Sequence, residues 1–226
     1  MKKFFNLAID GPAGAGKSTI AKEVAKRLGF IYVDTGAMYR AVGLYYINKK
    51  IDVTNEEEVN KEIDNINVEF KILDDGIKLF LNGEDVTDKI RTPEVSDAAS
   101  KVSVHKLVRE RMVAMQQEIA KKNNIVMDGR DIGTVVLPNA DLKIYLTASV
   151  EERANRRFKE YIDKGEEADL EQIKKDIEER DYRDMHRDIS PLREAEDAIH
   201  LDSTGMMIEE EISYILDFVN NIRNEE

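Results

Sequence analysis

The stretch Ala8-Ile-Asp-Gly-Pro-Ala-Gly-Ala-Gly-Lys-Ser-Thr19 decides how the rest of the chain is read. Gly11, Gly16, Lys17 and Ser18 satisfy the spacing G-x-x-x-x-G-K-[ST], with Gly14 as an extra glycine inside the spacer and Thr19 following. Before it lies the apolar run Phe4 to Ile9. After it, Ile20, Val24 and Leu28 recur at helical spacing until Gly29. A buried strand, a glycine-rich loop and the first turn of a helix form the context a phosphate-cradling loop requires. Glycines let successive N–H groups turn inward around phosphate oxygens, and the helix N-terminus adds partial positive charge. Gly11, Pro12, Ala13, Gly14, Ala15, Gly16, Lys17, Ser18 and Thr19 are therefore expected to hold a nucleoside triphosphate. Lys17 would reach the β- and γ-phosphates, and Ser18 would offer its hydroxyl to Mg²⁺.

Outward from the loop, Phe30 to Asp34, Ile125 to Asp128, Leu142 to Thr147 and Ala198 to Asp202 read as four more strands separated by helical stretches. That alternation predicts an α/β fold of the P-loop NTPase type, a five-stranded parallel sheet with helices on both faces. One section breaks it. Val68, Phe70 and Ile72 alternate, the turn Asp74-Asp75-Gly76 follows, then Ile77, Leu79 and Leu81, then Asn82-Gly83 and Glu84 to Val86. Two hairpin signals in succession predict a small antiparallel insert at 63–92, leaving 1–62 and 93–226 as the core. Thr54 with Glu57 reads as a capping box before the insert, and Thr92-Pro93 as an N-cap and first helical residue after it. From Ser149, which pairs with Glu152 as another capping box, the chain becomes strongly charged. Two helices interrupted at Gly165 bury little, so 153–187 is expected to be a mobile helical lid.

Composition narrows the function. The 226 residues carry a net charge of −12 and contain no cysteine and three widely spaced histidines. Nucleic-acid phosphates would be repelled, and thiolate or histidine metal sites are excluded or disfavoured. The N-terminus is too short in apolar residues for a signal peptide, and no segment approaches a membrane span. A cytoplasmic protein is expected, with no nucleic-acid or membrane partner. A GTPase is set aside because Asn48-Lys49-Lys50-Ile51 has isoleucine where guanine reading needs aspartate, and Asp202 to Gly205 lies too late to be a switch.

Cations outside the loop point to a second substrate. Asp34 and Thr35 can cap a helix that carries Arg40 near its second turn. Arg130 and Asp131 follow the strand Ile125 to Asp128, at the carboxyl end where ligands of open α/β sheets bind. Arg180, Arg183, Asp184 and Arg187 are spaced to share one helix face on the lid. Each alone reads equally as a surface charge. Together they could neutralise a phosphoryl group in transit, a reaction that rests on positioning and charge rather than on a side-chain nucleophile.

The strings IDGPAGAGKST, VDTGAMYR, RTPEVSDAASKVS…VRERM, MDGRDIGTVVLPNADLKIYLTAS, ERANRR and ERDYRDMHRDISPL together resemble the bacterial cytidylate kinases, from the first strand to the last helix and in the same order. The resemblance implies a monomeric nucleoside monophosphate kinase that moves the γ-phosphoryl of ATP to CMP or dCMP with Mg²⁺, its insert closing over the acceptor. It implies that Thr35, Arg40 and Arg130 hold the acceptor phosphate and that Ser100, Arg109 and Asp131 read the cytosine edge. Arg180 and Asp184 would contact the ribose and Arg187 the phosphates, with Arg153 and Arg157 as lid cations on ATP. Lys17, Arg130, Arg157 and Arg187 would then carry the catalysis. Cytosine's amino group donates where uracil's carbonyl accepts, so a site built on these hydrogen bonds discriminates by up to ~10⁴. The alternatives are a kinase for another nucleoside monophosphate, such as UMP or AMP, and a regulatory P-loop ATPase. Acceptor dependence separates them.

Overall fold

Leu7, Ala8 and Ile9 have no exposed surface, as expected of a strand covered on both faces. The computed structural model describes residues 4–73 and 76–225, so Lys2, Lys3 and the turn residues Asp74 and Asp75 lie outside the described residues. By contact density the chain divides into two units, 1–32 with 120–226, and 33–119.

The first unit holds most of a five-stranded parallel sheet ordered β2-β6-β1-β7-β8, with β1 (Asn6–Asp10), β2 (Ile31–Asp34), β6 (Ile125–Gly129), β7 (Leu142–Thr147) and β8 (Ile199–Asp202). The central strand β1 pairs with β6 and with β7 in register Ala8↔Met127 and Ala8↔Lys143. Strand β2 crosses the boundary between units at Tyr32 and Val33. Helix α1 (Lys17–Leu28) presents Ile20, Ala21, Val24 and Ala25, and α8 (Ile208–Glu225) presents Ile212, Ile215 and Val219, to one apolar cluster with Leu7, Ile9, Val126, Ile144 and Leu146. Gly29 stops α1 in the left-handed region, its N–H returning to Ala25 and Lys26 carbonyls, as its place in the sequence predicts. The charged segment forms α6 (Val150–Asp163) and α7 (Leu170–His186), joined through Gly165 at φ 75°. Ser149 caps α6 by accepting from the Glu152 N–H. A cluster of Ala154, Ile173 and Ile177, flanked by Val150, Phe158, Tyr161, Ala168 and Leu170, holds the hairpin together.

In the second unit, α2 (Thr35–Lys49) packs on α4 (Pro93–Val102) so closely that a Cβ on Gly43 would lie 2.9 Å from the Ala99 nitrogen. The antiparallel sheet is β3 (Val68–Leu73), β4 (Gly76–Leu81) and β5 (Glu84–Asp85), in register Phe70↔Leu79 and Leu81↔Glu84. Thr92 caps α4 with Pro93 as its first residue, as expected. Before the small sheet, the cap of α3 (Glu56–Glu62) is Asn55, which accepts from the Glu58 N–H. Thr54 instead bonds Asp52 through its hydroxyl and its N–H, so the Thr54–Glu57 box does not form. An Asx turn satisfies Thr54 locally, and the neighbouring asparagine is the better cap. Helix α5 (Lys106–Ala120) returns the chain to the first unit.

Candidate active site

Between β1 and α1 the loop turns through Gly14 and Gly16, at φ 77° and 87°. Gly11 is required for a different reason: any Cβ there would sit 1.9 Å from the Leu146 carbonyl oxygen of β7. Lys17 is buried and donates to the Pro12 carbonyl at 2.6 Å, closing the loop across its own mouth. The Ser18 hydroxyl donates to Asp128 Oδ2 at 2.8 Å, and Tyr32 Oη donates to Asp128 Oδ1 at 2.9 Å. Tyr32 was not legible as a site residue, because on the sequence it is one apolar position of a strand. An oxygen pair of hydroxyl and carboxylate fits a hard cation that keeps water and phosphate oxygens for the rest of its shell.

Residues of the charged hairpin meet the loop. Arg153 donates to the Ala13 carbonyl at 2.9 Å and to Ala148 at 2.9 Å, and pairs with Asp181 at 2.7 Å; both side chains are almost fully buried. Asp181 also accepts from the Ala13 N–H at 3.4 Å. Arg153 thus braces the loop through its backbone. Its neighbour Arg156 lies beside the loop's end, where a Cβ on Gly16 would be 3.5 Å from Nη1, and bonds Ser203 and Glu152.

Arg130, at the end of β6, donates to Asp184 Oδ2 at 2.8 Å, and Arg187 lies 3.5 Å from Asp131 Oδ1. Arg187 does not share the helical face of Arg180, Arg183 and Asp184. Helix α7 ends at His186, and Arg187 is extended with Nε donating to Ser190 at 2.6 Å. The turn through Ser190, at φ 51°, and Pro191 cannot continue the helix. Arg180 keeps its Nε buried with no hydrogen-bond partner among the described residues. Arg157 makes long contacts to Tyr161 Oη, 3.3 Å and 3.4 Å, and lies over the Tyr161 ring.

The buried cations of this group disfavour one another. Burial, then the Arg130 guanidinium, drives the Lys17 ammonium well below its usual range. Burial also takes Arg180 down to about 10, with Arg130, Arg157 and Arg183 repelling it. Burial opposes ionisation of Asp184, but Arg130, Arg180 and Arg187 hold its carboxyl below the usual carboxylate range. Cations that weaken one another in a water-poor place are stabilised when a polyanion enters.

In the second unit Asp34 caps α2, accepting from the Ala37 N–H at 2.7 Å, and pairs with Arg40 at 3.0 Å. Thr35 is buried as the first residue of that helix. Arg109, 3% exposed, donates to the Ser103 carbonyl at 3.3 Å and lies over the Tyr39 ring, while the Ser103 hydroxyl bonds the Ser100 carbonyl. One unit therefore assembles Thr35, Arg40, Ser100 and Arg109 on α2, α4 and α5. The other assembles Lys17, Ser18, Arg130, Asp131, Arg180, Asp184 and Arg187. Tyr39 is a further residue of the first group that spacing did not reveal.

The cytidylate kinase family model matches residues 7–221. The chain belongs to that family. It is 50% identical over 222 residues to a cytidylate kinase of Bacillus cereus strain B4264, covering 98% of this chain and 99% of that one. A cytidylate kinase of Bacillus thuringiensis strain Al Hakam gives the same identity and coverage. Among solved structures, an uncharacterised protein from Eubacterium ventriosum shares the fold, at TM-score 0.56 and 12% identity over 96% of this chain and 98% of that one. For this cytidylate kinase family member, no helix among the described residues is long and apolar enough to cross a membrane.

Proposed function

We propose that the protein transfers the γ-phosphoryl of ATP to CMP or dCMP, releasing ADP and CDP or dCDP. The observation that carries this reading is the near-full-length identity to cytidylate kinases, on a chain whose triphosphate loop is intact. The residues of the loop, from Gly11 to Thr19, hold ATP. Lys17 leaves its Pro12 carbonyl for the phosphates, whose negative charge favours the ammonium. Ser18 and Asp128 are the residues that would hold Mg²⁺, which neutralises phosphate charge when bound. Arg130, Arg157 and Arg187 stabilise the phosphoryl group in transit. Thr35, Arg40 and Arg130 take the acceptor phosphate; Ser100, Arg109 and Asp131 take the cytosine edge; Arg180 and Asp184 take the ribose.

What supports the assignment is the depressed, crowded set of buried cations, which an anionic substrate would relieve. The test is ADP formation from Mg-ATP with CMP, dCMP, UMP, AMP or no acceptor. Turnover with CMP and dCMP well above the rest is expected. Equal use of UMP would sink the cytosine-reading assignment, and acceptor-independent hydrolysis would sink the kinase reading.

A further inference from the structure

One buried acid in the first unit has no part in the mechanism above. Asp10 ends β1, directly before Gly11, at a position the phosphate-loop spacing leaves open. It is 5% exposed. Its Oδ1 accepts the Ile132 N–H at 2.8 Å and its Oδ2 accepts the Gly133 N–H at 2.7 Å. Those two N–H groups open a π-helical turn, Ile132–Val136, whose preceding residue is Asp131. Asp131 sits at φ −145° and ψ 27°, outside the helical and extended basins, while its carbonyl accepts from the Val135 and Val136 N–H groups. A backbone so placed persists only where its surroundings hold it.

We propose that Asp10 is a positioning residue for acceptor recognition: its carboxylate pins the Ile132 and Gly133 amides, and so fixes Arg130 and Asp131 where they meet the acceptor. The inference rests on the functional reading given above for those two residues. Physically, a carboxylate accepting two N–H bonds in a dry site makes the stronger, charge-assisted kind of hydrogen bond. Lys143 packs against the same turn beside Asp10. Its Cδ would be 3.1 Å from a Cβ on Gly133, and its Nζ is fixed by Pro138 and Asp197. Because Asp10 and Gly11 are adjacent, the strand end that starts the donor loop also holds the turn bearing the acceptor residues.

The experiment uses the full-length enzyme and Asp10→Asn. An amide in this place accepts one N–H and opposes the other with its own donor. Amide exchange measured by NMR should quicken about 10-fold or more at Ile132 and Gly133, with the amides of α1 unchanged. The KM for CMP should rise about 10-fold while the KM for ATP moves far less, and the preference for CMP over UMP should fall by a similar factor. Unchanged exchange at Ile132 and Gly133 would overturn the proposal. So would parallel losses for ATP and CMP with selectivity intact, the signature of general destabilisation. Should Asp10→Asn fail to fold, Gly133→Ala crowds the same turn against Lys143 and Asp10 Oδ2, 3.1 Å and 3.4 Å from the added Cβ, with Asp10 itself unsubstituted; it must reproduce the acceptor-selective KM change. If the wild type shows no preference for CMP over UMP, the functional reading fails by itself, and the proposal is decided by the exchange rates and the acceptor KM.

Discussion

The floor of the nucleotide loop and the α6–α7 hairpin that touches it are held by different forces. Beneath the loop, α1 and α8 lay Ile20, Val24, Ile212, Ile215 and Val219 against Leu7, Ile9, Val126 and Ile144, a continuous apolar layer. The hairpin buries little beyond Ala154, Ile173 and Ile177, and joins the rest of its unit through the contacts of Arg153 and Asp181 with the Ala13 backbone and through the ion pair Arg130–Asp184. Apolar packing is non-directional and indifferent to ligands, so it suits the part that must not move. Ion pairs can be exchanged for pairs with substrate phosphates, so they suit the part that must respond. The same guanidinium that docks the hairpin, Arg130, is a proposed phosphate ligand.

The largest expected effect tests the cation that the floor carries at the start of α1. Lys17→Ala should lower kcat/KM about 10³-fold or more with the melting temperature nearly unchanged, since an electrostatic stabiliser is lost while the apolar layer is intact. Steady-state kinetics and a thermal melt decide it, and a large drop in melting temperature would make Lys17 structural. Next comes Arg153→Ala, which strands Asp181 in a buried place. A cost of about 3 kcal/mol is expected, confined to the hairpin and the loop backbone at Ala13. Hydrogen exchange should show α6 and α7 opening while β1 and β7 stay protected. Uniform opening would erase the distinction between the two regions. Asp184→Asn, a smaller change, should weaken the hairpin's tie to Arg130 and raise the acceptor KM about 10-fold, leaving the ATP KM nearly constant.

The smallest effect is a difference in pH response. Burial pushes the Glu211 carboxyl on α8 up to about 7, against the pull of Arg156 at 4.0 Å. Its charged form is the disfavoured one in the fold. The stability it contributes is therefore fully present below its ordinary pKa of 4.5 and is lost as pH rises through 7. Asp184 has the opposite sign. Its carboxyl is held below 3.8, so its contribution is present above that value and is lost only as pH falls through the lower folded pKa. Lowering the pH from 7 to 4.5 should thus raise the melting temperature of the wild type relative to Glu211→Gln. The protection attributable to the Arg130–Asp184 pair should not change over that interval.

Much of this is legible in the sequence. The loop, the strand ends at Leu142 and Thr147, the cap at Thr92-Pro93 and the stop at Gly29 follow from local chemistry, and each appears where its residues place it. Other features escaped because several local solutions compete. Asn55 outdid Thr54 as a cap, and Arg187 left the helix that its spacing with Arg180 and Asp184 implied. Arg153 and Arg157 look alike on the sequence. Only burial separates a guanidinium satisfied by Ala13, Ala148 and Asp181 from one resting on a tyrosine hydroxyl.

By itself, then, the sequence determined the α/β alternation, the phosphate loop and the inserted hairpins, because these depend on residues close together along the chain. Tertiary structure decided which charges are spent on each other and which remain for a ligand. It paired Asp10 with the amides of Ile132 and Gly133, and Ser18 with Asp128, across more than a hundred residues. The strength of a charge depends on its burial and its partners, and both are set only when distant segments meet.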